Sequence, residues 1–181
     1  MIFRETNLPG VFEVRLEPFH DARGFFARSW CQKEFENHGL NPNMAQCNVS
    51  FNKLKGTLRG MHYQEAPKGE AKLVRCTSGS IYDVVIDLRH DSPTFRRWIA
   101  VTVTAQQRNM MYVPEGCAHG FLTLEDETEV FYQMSEFYSP ELARGVRWDD
   151  PAFQIVWPEK IEVISERDRT YADFEPAQCA C

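Results

Sequence analysis

Short runs of β-forming residues dominate the chain, and they constrain its fold more than any other feature. Ten runs of four to eight residues are rich in Val, Ile, Phe, Tyr or Thr, and Gly or Pro falls between many of them. Many short strands with regular turns favour an antiparallel sandwich or barrel over a parallel α/β sheet. The predicted strands are 11–16, 24–30, 44–51, 57–63, 72–77, 81–88, 98–104, 110–113, 120–124 and 129–134.

Helical patterns are confined to two short segments, 32–38 and 165–171. Ser78-Gly79 joins two predicted strands as tightly as a β-hairpin would. The sequence contains no internal repeat, linker or low-complexity stretch. We therefore predict one all-β domain over residues 1–181 with short peripheral helices, and a loosely ordered tail from about residue 172.

Length and charge exclude several classes of function. A chain of 181 residues can bury a core without disulfides or metal, and its net charge of −6 argues against a nucleic-acid partner. It lacks the run of roughly 18 apolar residues that a membrane span needs, and it opens with no leader pattern, so we expect a cytoplasmic protein. Its six cysteines are then expected to stay reduced, and Cys179 with Cys181 lacks a second pair of metal ligands.

Lys72 is the first polar residue at a position where a core residue is expected. Strand alternation gives it the same face as Val74 and Cys76. An inward lysine needs an anionic partner, whereas a lysine at the start of a strand can extend its ammonium group to solvent, and alternation alone leaves both readings open. Asp83 and Asp87 on the next strand could supply a carboxylate, although a structural hydrogen-bonding role is preferred for Asp83.

Two histidines also occur on or beside predicted strands. His62 shares a face with Leu58, which alone is more typical of a structural core histidine, and His119 follows a Pro-x-Gly-x-x-His turn. A histidine pair in a β-barrel suggests a metal site, but the usual first motif is His-x-His and Gln64 occupies its second position. We therefore predict acid/base chemistry by imidazole and no metal.

Five motifs carry a family resemblance: L-R-G-M-H-Y-Q, K-L-V-R-C, D-S-P-T-F, V-P-E-G-C-A-H-G-F and R-W-D-D-P-A-F. In this order and spacing the chain resembles the dTDP-4-dehydrorhamnose 3,5-epimerase family from about residue 10 to 168. The resemblance implies a cupin jelly-roll barrel, a homodimer, and no metal or coenzyme. It also implies epimerisation at C3, C5 or both of a nucleoside-diphosphate 4-keto-6-deoxyhexose, a step in deoxysugar biosynthesis.

The resemblance also implies roles for individual residues. His62 matches the family's general base, Asp168 the carboxylate that orients it, Lys72 the cation beside the C4 oxygen of the sugar, and Tyr132 the general acid. Without the family, Tyr132 reads as an ordinary strand aromatic and Asp168 as a solvated charge. The residues that match substrate contacts are Arg23, Gln46, Asn48, Arg59 and His119, and Tyr138 matches the nucleotide site.

These residue types suit the chemistry. Removing a proton α to a ketone puts negative charge on the C4 oxygen, which Lys72 and His119 could stabilise. His62 can accept that proton near neutral pH, and reprotonation from the opposite face by Tyr132 inverts the carbon. Arg23 and Arg59 suit a diphosphate, because guanidinium groups pair with phosphate oxygens in bidentate fashion.

The chain departs from the family pattern at three positions, and the two glutamate positions among them belong to the nucleotide-binding side. Arg28 and Ala143 stand where the family usually has glutamates, and Arg167 stands where it has a lysine. A glutamate can accept the N–H of thymine, whereas an arginine can donate to the lone pair of cytosine. Arg28 therefore raises the hypothesis of a cytidine-linked substrate. In the alternative reading it points to solvent or binds a phosphate, and thymidine stays preferred.

Other classes remain as alternatives. One is a catalytically silent cupin that only binds a sugar nucleotide, and another is a related 3,4-ketoisomerase. A metal-dependent cupin oxygenase is disfavoured by the ligand count. The sequence alone does not decide whether C3, C5 or both are inverted.

Overall fold

The computed structural model describes residues 1–175, and within them the strands form two main sheets. The first has the order β1 (Ile2–Glu5), β2 (Phe12–Arg15), β10 (Met110–Val113), β7 (Lys72–Ser78), β12 (Thr128–Met134) and β5 (Gln46–Asn52). The second has the order β13 (Ala143–Gly145), β6 (Thr57–Gln64), β11 (Cys117–Thr123), β8 (Ser80–Asp87) and β9 (Trp98–Thr104), with β14 (Val163–Ile164) parallel to β6.

Three smaller elements lie outside these sheets. β3 (Phe19–Asp21) and β4 (Gly24–Phe26) pair only with each other, as a hairpin. The helices are short: α1 (Gln32–Asn37) and α2 (Glu166–Arg169). Two packed, mainly antiparallel sheets with small peripheral helices confirm the predicted all-β jelly roll. In the part of the chain that the structure describes, no helix has the length and apolar character that a membrane span requires.

Strand alternation divides the side chains between an inner core and two outer layers. On β7, Val74 and Cys76 join the core between the sheets, whereas Leu73 packs beneath Phe35 of α1. On β8, Ile81 and Val85 point into the same inner core, while Val84 and Ile86 pack on the opposite side against the segment around Phe153. This two-residue period lets polar side chains on β6, β7, β11 and β12 project into one end of the barrel.

All ten predicted strands overlap an observed strand, but the predicted hairpin at Ser78-Gly79 is wrong. β7 pairs with β10 and β12, whereas β8 pairs with β11 and β9, so the chain crosses from one sheet to the other at Gly79. Gly79 has φ +69°, and a Cβ there would lie 2.3 Å from Thr128 Oγ1. A tight glycine turn therefore fits a corner between sheets as well as it fits a hairpin.

The C-terminal segment packs on the second sheet as far as it is described. The Phe174 ring lies 5.0 Å from the Phe153 ring, and its amide donates to Asp150 Oδ2 at 2.6 Å. The single-domain assignment and the loosely ordered tail remain predictions. Cys179 and Cys181 lie outside the described residues, whereas Cys31, Cys47, Cys76 and Cys117 are free thiols.

Candidate active site

Two adjoining cavities open at one end of the barrel and share His62, Lys72, Tyr132 and Arg167. The first has a volume of about 680 Å³ and the second about 480 Å³. Both volumes fall within the usual range for small-molecule sites. All four predicted catalytic residues line the first cavity: His62, Lys72, Tyr132 and Asp168.

His62 and Asp168 form a hydrogen-bonded dyad although they lie far apart in sequence. His62 Nε2 is 2.7 Å from Asp168 Oδ1 across a separation of 106 residues. The parallel pairing of β14 with β6 carries the chain back beside His62, and α2 begins directly afterwards. Ser165 caps α2 by accepting from the Asp168 amide at 3.1 Å, which fixes the aspartate in the first helical turn.

The environment of Asp168 keeps it ionised. Burial alone would raise the pKa of this carboxyl group, which is only 4% exposed. Hydrogen bonds from His62, Gly60 and Ser165, together with the His62 charge, outweigh burial and lower the pKa below its usual value. An ionised Asp168 that accepts from Nε2–H leaves the lone pair of a neutral His62 on Nδ1. The dyad therefore selects one tautomer of the imidazole.

A close backbone approach beside the dyad requires glycine. Gly60 has φ +126°, and a Cβ there would lie 2.5 Å from the Cα of Gly120 on the neighbouring strand. The Gly60 amide donates to Asp168 Oδ2 at 3.2 Å, so this stretch of β6 also holds the carboxylate. The pairing of β6 with β11 shifts register between His119 and Phe121 at the same place. These contacts set the depth at which His62 enters the cavity.

Lys72 faces inward, which decides between the two readings left open by the sequence. Its side chain is 10% exposed and its Nζ lies 2.7 Å from Oε1 of Glu70. The carboxylate partner is therefore Glu70, and neither Asp83 nor Asp87 pairs with it. Sequence reasoning missed Glu70, although its position two residues before Lys72 gives it the same face of an extended segment.

Tyr132 enters the cavity from β12, in the sheet opposite the one that carries His62. Its pKa is raised, first by burial and then by the charge of Glu70, while Arg59 and a hydrogen bond with Asn48 act in the opposite direction. The phenol is therefore fully protonated at neutral pH, as a proton donor must be.

His119 also lines the first cavity and has its own carboxylate partner. His119 Nε2 lies 2.6 Å from Asp83 Oδ1, in a pair that is almost completely buried. His119 and His62 are direct neighbours across β11 and β6, yet each bonds to a different aspartate. Among residues 1–175, no group of three or more His, Cys, Asp or Glu side chains is arranged to hold a metal ion.

The predicted substrate-binding residues divide into two groups. Arg59 and His119 line the first cavity, and Arg167 lines both. Gln46, Asn48 and Tyr138 line the second cavity, where Gln46 Oε1 accepts from the Tyr138 amide at 2.5 Å. Arg167 hydrogen-bonds with Tyr138 and lies over the ring of Tyr171 at 5.9 Å. Ala143, which the family resemblance marked as a departure from the usual pattern, lines the second cavity.

Arg23 and Arg28 do not reach these cavities within the described chain. The Arg23 side chain is 90% exposed and pairs with Asp21, and Arg28 is 63% exposed and pairs with Glu34. Both lie on or just after the β3–β4 hairpin, whose aromatic side chains are exposed. A match to a family motif does not reveal these positions. It says which residues contact the substrate, but not which copy of the chain they come from.

We expect that thorough chelation will leave catalytic activity unchanged. Gln64 stands where a metal-binding His-x-His motif has its second histidine, and no group of three or more possible ligands occurs among residues 1–175. The measurement is turnover after dialysis against a strong chelator, with metal analysis of the same sample. Loss of activity that added zinc, iron or manganese restores would contradict this expectation.

Comparison with known proteins identifies relatives along nearly the whole chain. The sequence model described as dTDP-4-dehydrorhamnose 3,5-epimerase matches residues 5–176. A protein of that name from Shigella flexneri is 41% identical over 165 residues, which is 91% of this chain and 91% of the relative.

Solved structures agree with the sequence match. The Bacillus anthracis dTDP-4-dehydrorhamnose 3,5-epimerase, solved with TDP and PPi bound, has a TM-score of 0.91 and 39% identity, and the match covers 96% of this chain and 99% of that one. A 3'-monoepimerase from Streptomyces bikiniensis, solved with dTDP-quinovose, has a TM-score of 0.82 and 34% identity, with coverage of 90% and 83%. The chain therefore belongs to the dTDP-4-dehydrorhamnose 3,5-epimerase family.

Proposed function

We propose that this protein epimerises a thymidine-diphosphate-linked 4-keto-6-deoxyhexose by proton abstraction and reprotonation next to the ketone. The observation that supports the proposal is that an imidazole and a phenol enter one cavity from different sheets. His62 projects from β6 of one sheet and Tyr132 from β12 of the other. Inversion of a carbon needs a proton removed from one face and returned to the other, which this arrangement supplies.

The steps follow from the contacts. His62 Nδ1 takes the α proton while Asp168 holds Nε2–H, and the electron pair moves onto the C4 oxygen of the sugar. Lys72 meets this developing negative charge from the first sheet in a largely buried site, where such stabilisation is strong. Tyr132 then donates its phenolic proton to the other face of the carbon, and proton exchange with solvent restores both groups.

Thymidine is the nucleobase that we propose. The relatives named above carry thymidine in their names or bound ligands, and the cytidine hypothesis depended on Arg28. Within this chain Arg28 pairs with Glu34 and lines neither cavity. We also propose a cytoplasmic location, consistent with free thiols at Cys76 and Cys117.

Deuterium incorporation tests the catalytic proposal directly. The protein is incubated in deuterated water with dTDP-4-keto-6-deoxyglucose, and labelled carbons are counted by mass spectrometry and located by NMR. Epimerisation at C3 and C5 gives two labelled positions, whereas epimerisation at C3 alone gives one. A protein that binds the nucleotide sugar tightly but leaves it unlabelled is a silent binding cupin, and that result would overturn the proposal.

We further propose that the chain forms a homodimer through the β3–β4 hairpin. Phe19 and Phe26 on this hairpin are 76% and 75% exposed, so the two aromatic side chains lack cover within one chain. The same hairpin region carries Arg23, whose family match is a substrate contact that its own cavity does not receive. A second copy of the chain accounts for both observations, because it can cover the aromatic rings and accept Arg23 at its cavity.

The double variant Phe19→Ser/Phe26→Ser is therefore expected to elute as a monomer, while the wild type has twice the mass of one chain. The measurement is size-exclusion chromatography with light scattering. Val156→Ser is the matched control, because Val156 is also exposed, at 69%, but lies far along the chain from the hairpin. A double variant that keeps the wild-type mass would contradict the proposed interface.

A further inference from the structure

Glu70 is a charged residue in the site to which the mechanism above gives no function. Its side chain is 7% exposed, and Oε1 lies 2.7 Å from the Nζ of Lys72. Its other oxygen, Oε2, is buried and has no hydrogen-bond partner among the described residues. Glu70 lines the second cavity together with Lys72 and Tyr132. A buried carboxylate with one unpaired acceptor atom therefore lies in the cavity wall beside the catalytic groups.

A buried acceptor without a partner is unfavourable, and such groups in native proteins usually serve a ligand or a specific function. Pairing with Lys72 alone uses only half of the carboxylate. The negative charge of Glu70 also raises the pKa of the Tyr132 phenol, as the second cause after burial. Glu70 therefore lies in the wall of the same cavity as Lys72 and Tyr132, where the sugar that they act on would bind.

The Glu70–Lys72 pair matches the chemistry of an α-hydroxy ketone. In a 4-keto-6-deoxyhexose, the ketone oxygen at C4 accepts hydrogen bonds, and the neighbouring C3 hydroxyl can donate one. Lys72 supplies a donor and Glu70 an acceptor, held side by side by their own ion pair. When the C4 oxygen faces Lys72, as in the proposed mechanism, Lys72 donates to that oxygen and the C3 hydroxyl can donate to Glu70.

We propose that Glu70 is a specificity-determining residue that accepts a hydrogen bond from the C3 hydroxyl of the sugar through Oε2 while its Oε1 fixes Lys72. This inference rests on the proposed function for the identity of the substrate. Its consequence is that the site selects sugars that keep an oxygen at C3 over the corresponding 3-deoxy sugars. A site built to bond a substrate hydroxyl rejects an analogue that lacks it, because its own buried group is then left unpaired.

The test is a cycle of two enzymes and two substrates. Wild type and Glu70→Ala are each given dTDP-4-keto-6-deoxyglucose and its 3-deoxy analogue in deuterated water, and kcat/KM is measured as deuterium uptake next to the ketone. Both substrates retain exchangeable hydrogens at C3 and C5, so one readout serves both. We expect wild type to prefer the hydroxylated sugar by about ten- to hundredfold, the range for a hydrogen bond to a charged group, and Glu70→Ala to lose this preference.

The ratio of the two substrates separates specificity from a structural effect. If Glu70 only positioned Lys72, both substrates would slow by the same factor, the preference would persist in Glu70→Ala, and the inference would be overturned. Glu70→Gln keeps the shape and one neutral acceptor, so it should retain part of the preference and serves if the alanine variant fails to fold. Glu159→Gln is the matched control, because Glu159 pairs with Lys55 on the surface.

Two further outcomes are informative. A 2-deoxy analogue should be processed with the same relative loss by wild type and Glu70→Ala, and a loss that disappears only in the variant would overturn the C3 assignment. Wild type that labels neither sugar would overturn the proposed function itself, and this inference with it. Wild type that labels both sugars equally would overturn only the role of Glu70.

Discussion

Replacing His62 with alanine is expected to lower both proton exchange and epimerisation by at least about 10²–10⁴-fold, the usual contribution of a general base. The dyad with Asp168 selects the tautomer that leaves Nδ1 free to accept a proton. The other cavity histidine, His119, is engaged by Asp83 and nearly buried, so it is not placed to take over. His62 is itself partly exposed, at 40% of its side chain, which makes alanine tolerable for the fold.

The measurement for His62→Ala is the initial rate of deuterium uptake together with the rate of product formation. A circular dichroism spectrum and a thermal melt establish that the variant is folded. His90→Ala is the matched control, because His90 lines a third cavity and neither of the two that contain the catalytic groups. Turnover of His62→Ala close to that of wild type would remove His62 from the mechanism.

The Tyr132→Phe variant is expected to separate the two half-reactions. Phenylalanine keeps the ring and its packing but removes the hydroxyl that delivers the second proton. Net inversion should therefore fall by about 10²–10⁴-fold, while proton abstraction by His62 continues. Because burial and Glu70 raise the pKa of Tyr132, its phenol is protonated throughout the neutral range, so the effect should not depend on pH there.

For Tyr132→Phe, the informative quantity is the ratio of deuterium exchange with retention to net inversion. Wild type should couple the two, and the variant should exchange more often than it inverts. Tyr82→Phe is a control, because Tyr82 packs on the outer side of the second sheet beside Trp157. Equal loss of exchange and inversion, or loss of neither, would show that Tyr132 is not the donor to the opposite face.

Local patterns predict much of the fold because strand alternation is a local property. The core strands appear within two residues of their predicted ends at β7, β8, β9 and β10. Pairing is not local, and this explains the wrong hairpin at Gly79. The strands missed by the sequence, β1, β3, β13 and β14, have two to four residues each. Such short segments show no clear period, and their positions depend on the sheet that they join.

The sequence predicted those residues of the candidate site that could be matched to the family. The family match named His62, Lys72, Tyr132 and Asp168, and all four line one cavity. Strand alternation alone did not decide whether Lys72 faces the interior or solvent. It also suggested carboxylate partners on β8, whereas the partner is Glu70. Glu70 lies just before a strand, where the chain's direction depends on the preceding turn. The location of Arg23 was not predictable either, because a match to a family contact does not say which chain makes it.

The position of Asp168 has a consequence for the synthesis of the protein. The strand that carries His62, β6, and the strand β13 beside it in the same sheet are synthesised before α2. A nascent or truncated chain that ends before residue 165 contains the barrel strands and the base but lacks the carboxylate that selects its tautomer. Such a chain would lack Ser165, Arg167 and Asp168 from the wall of the first cavity, and we expect it to be inactive. Catalytic activity thus reports that translation of the C-terminal segment is complete.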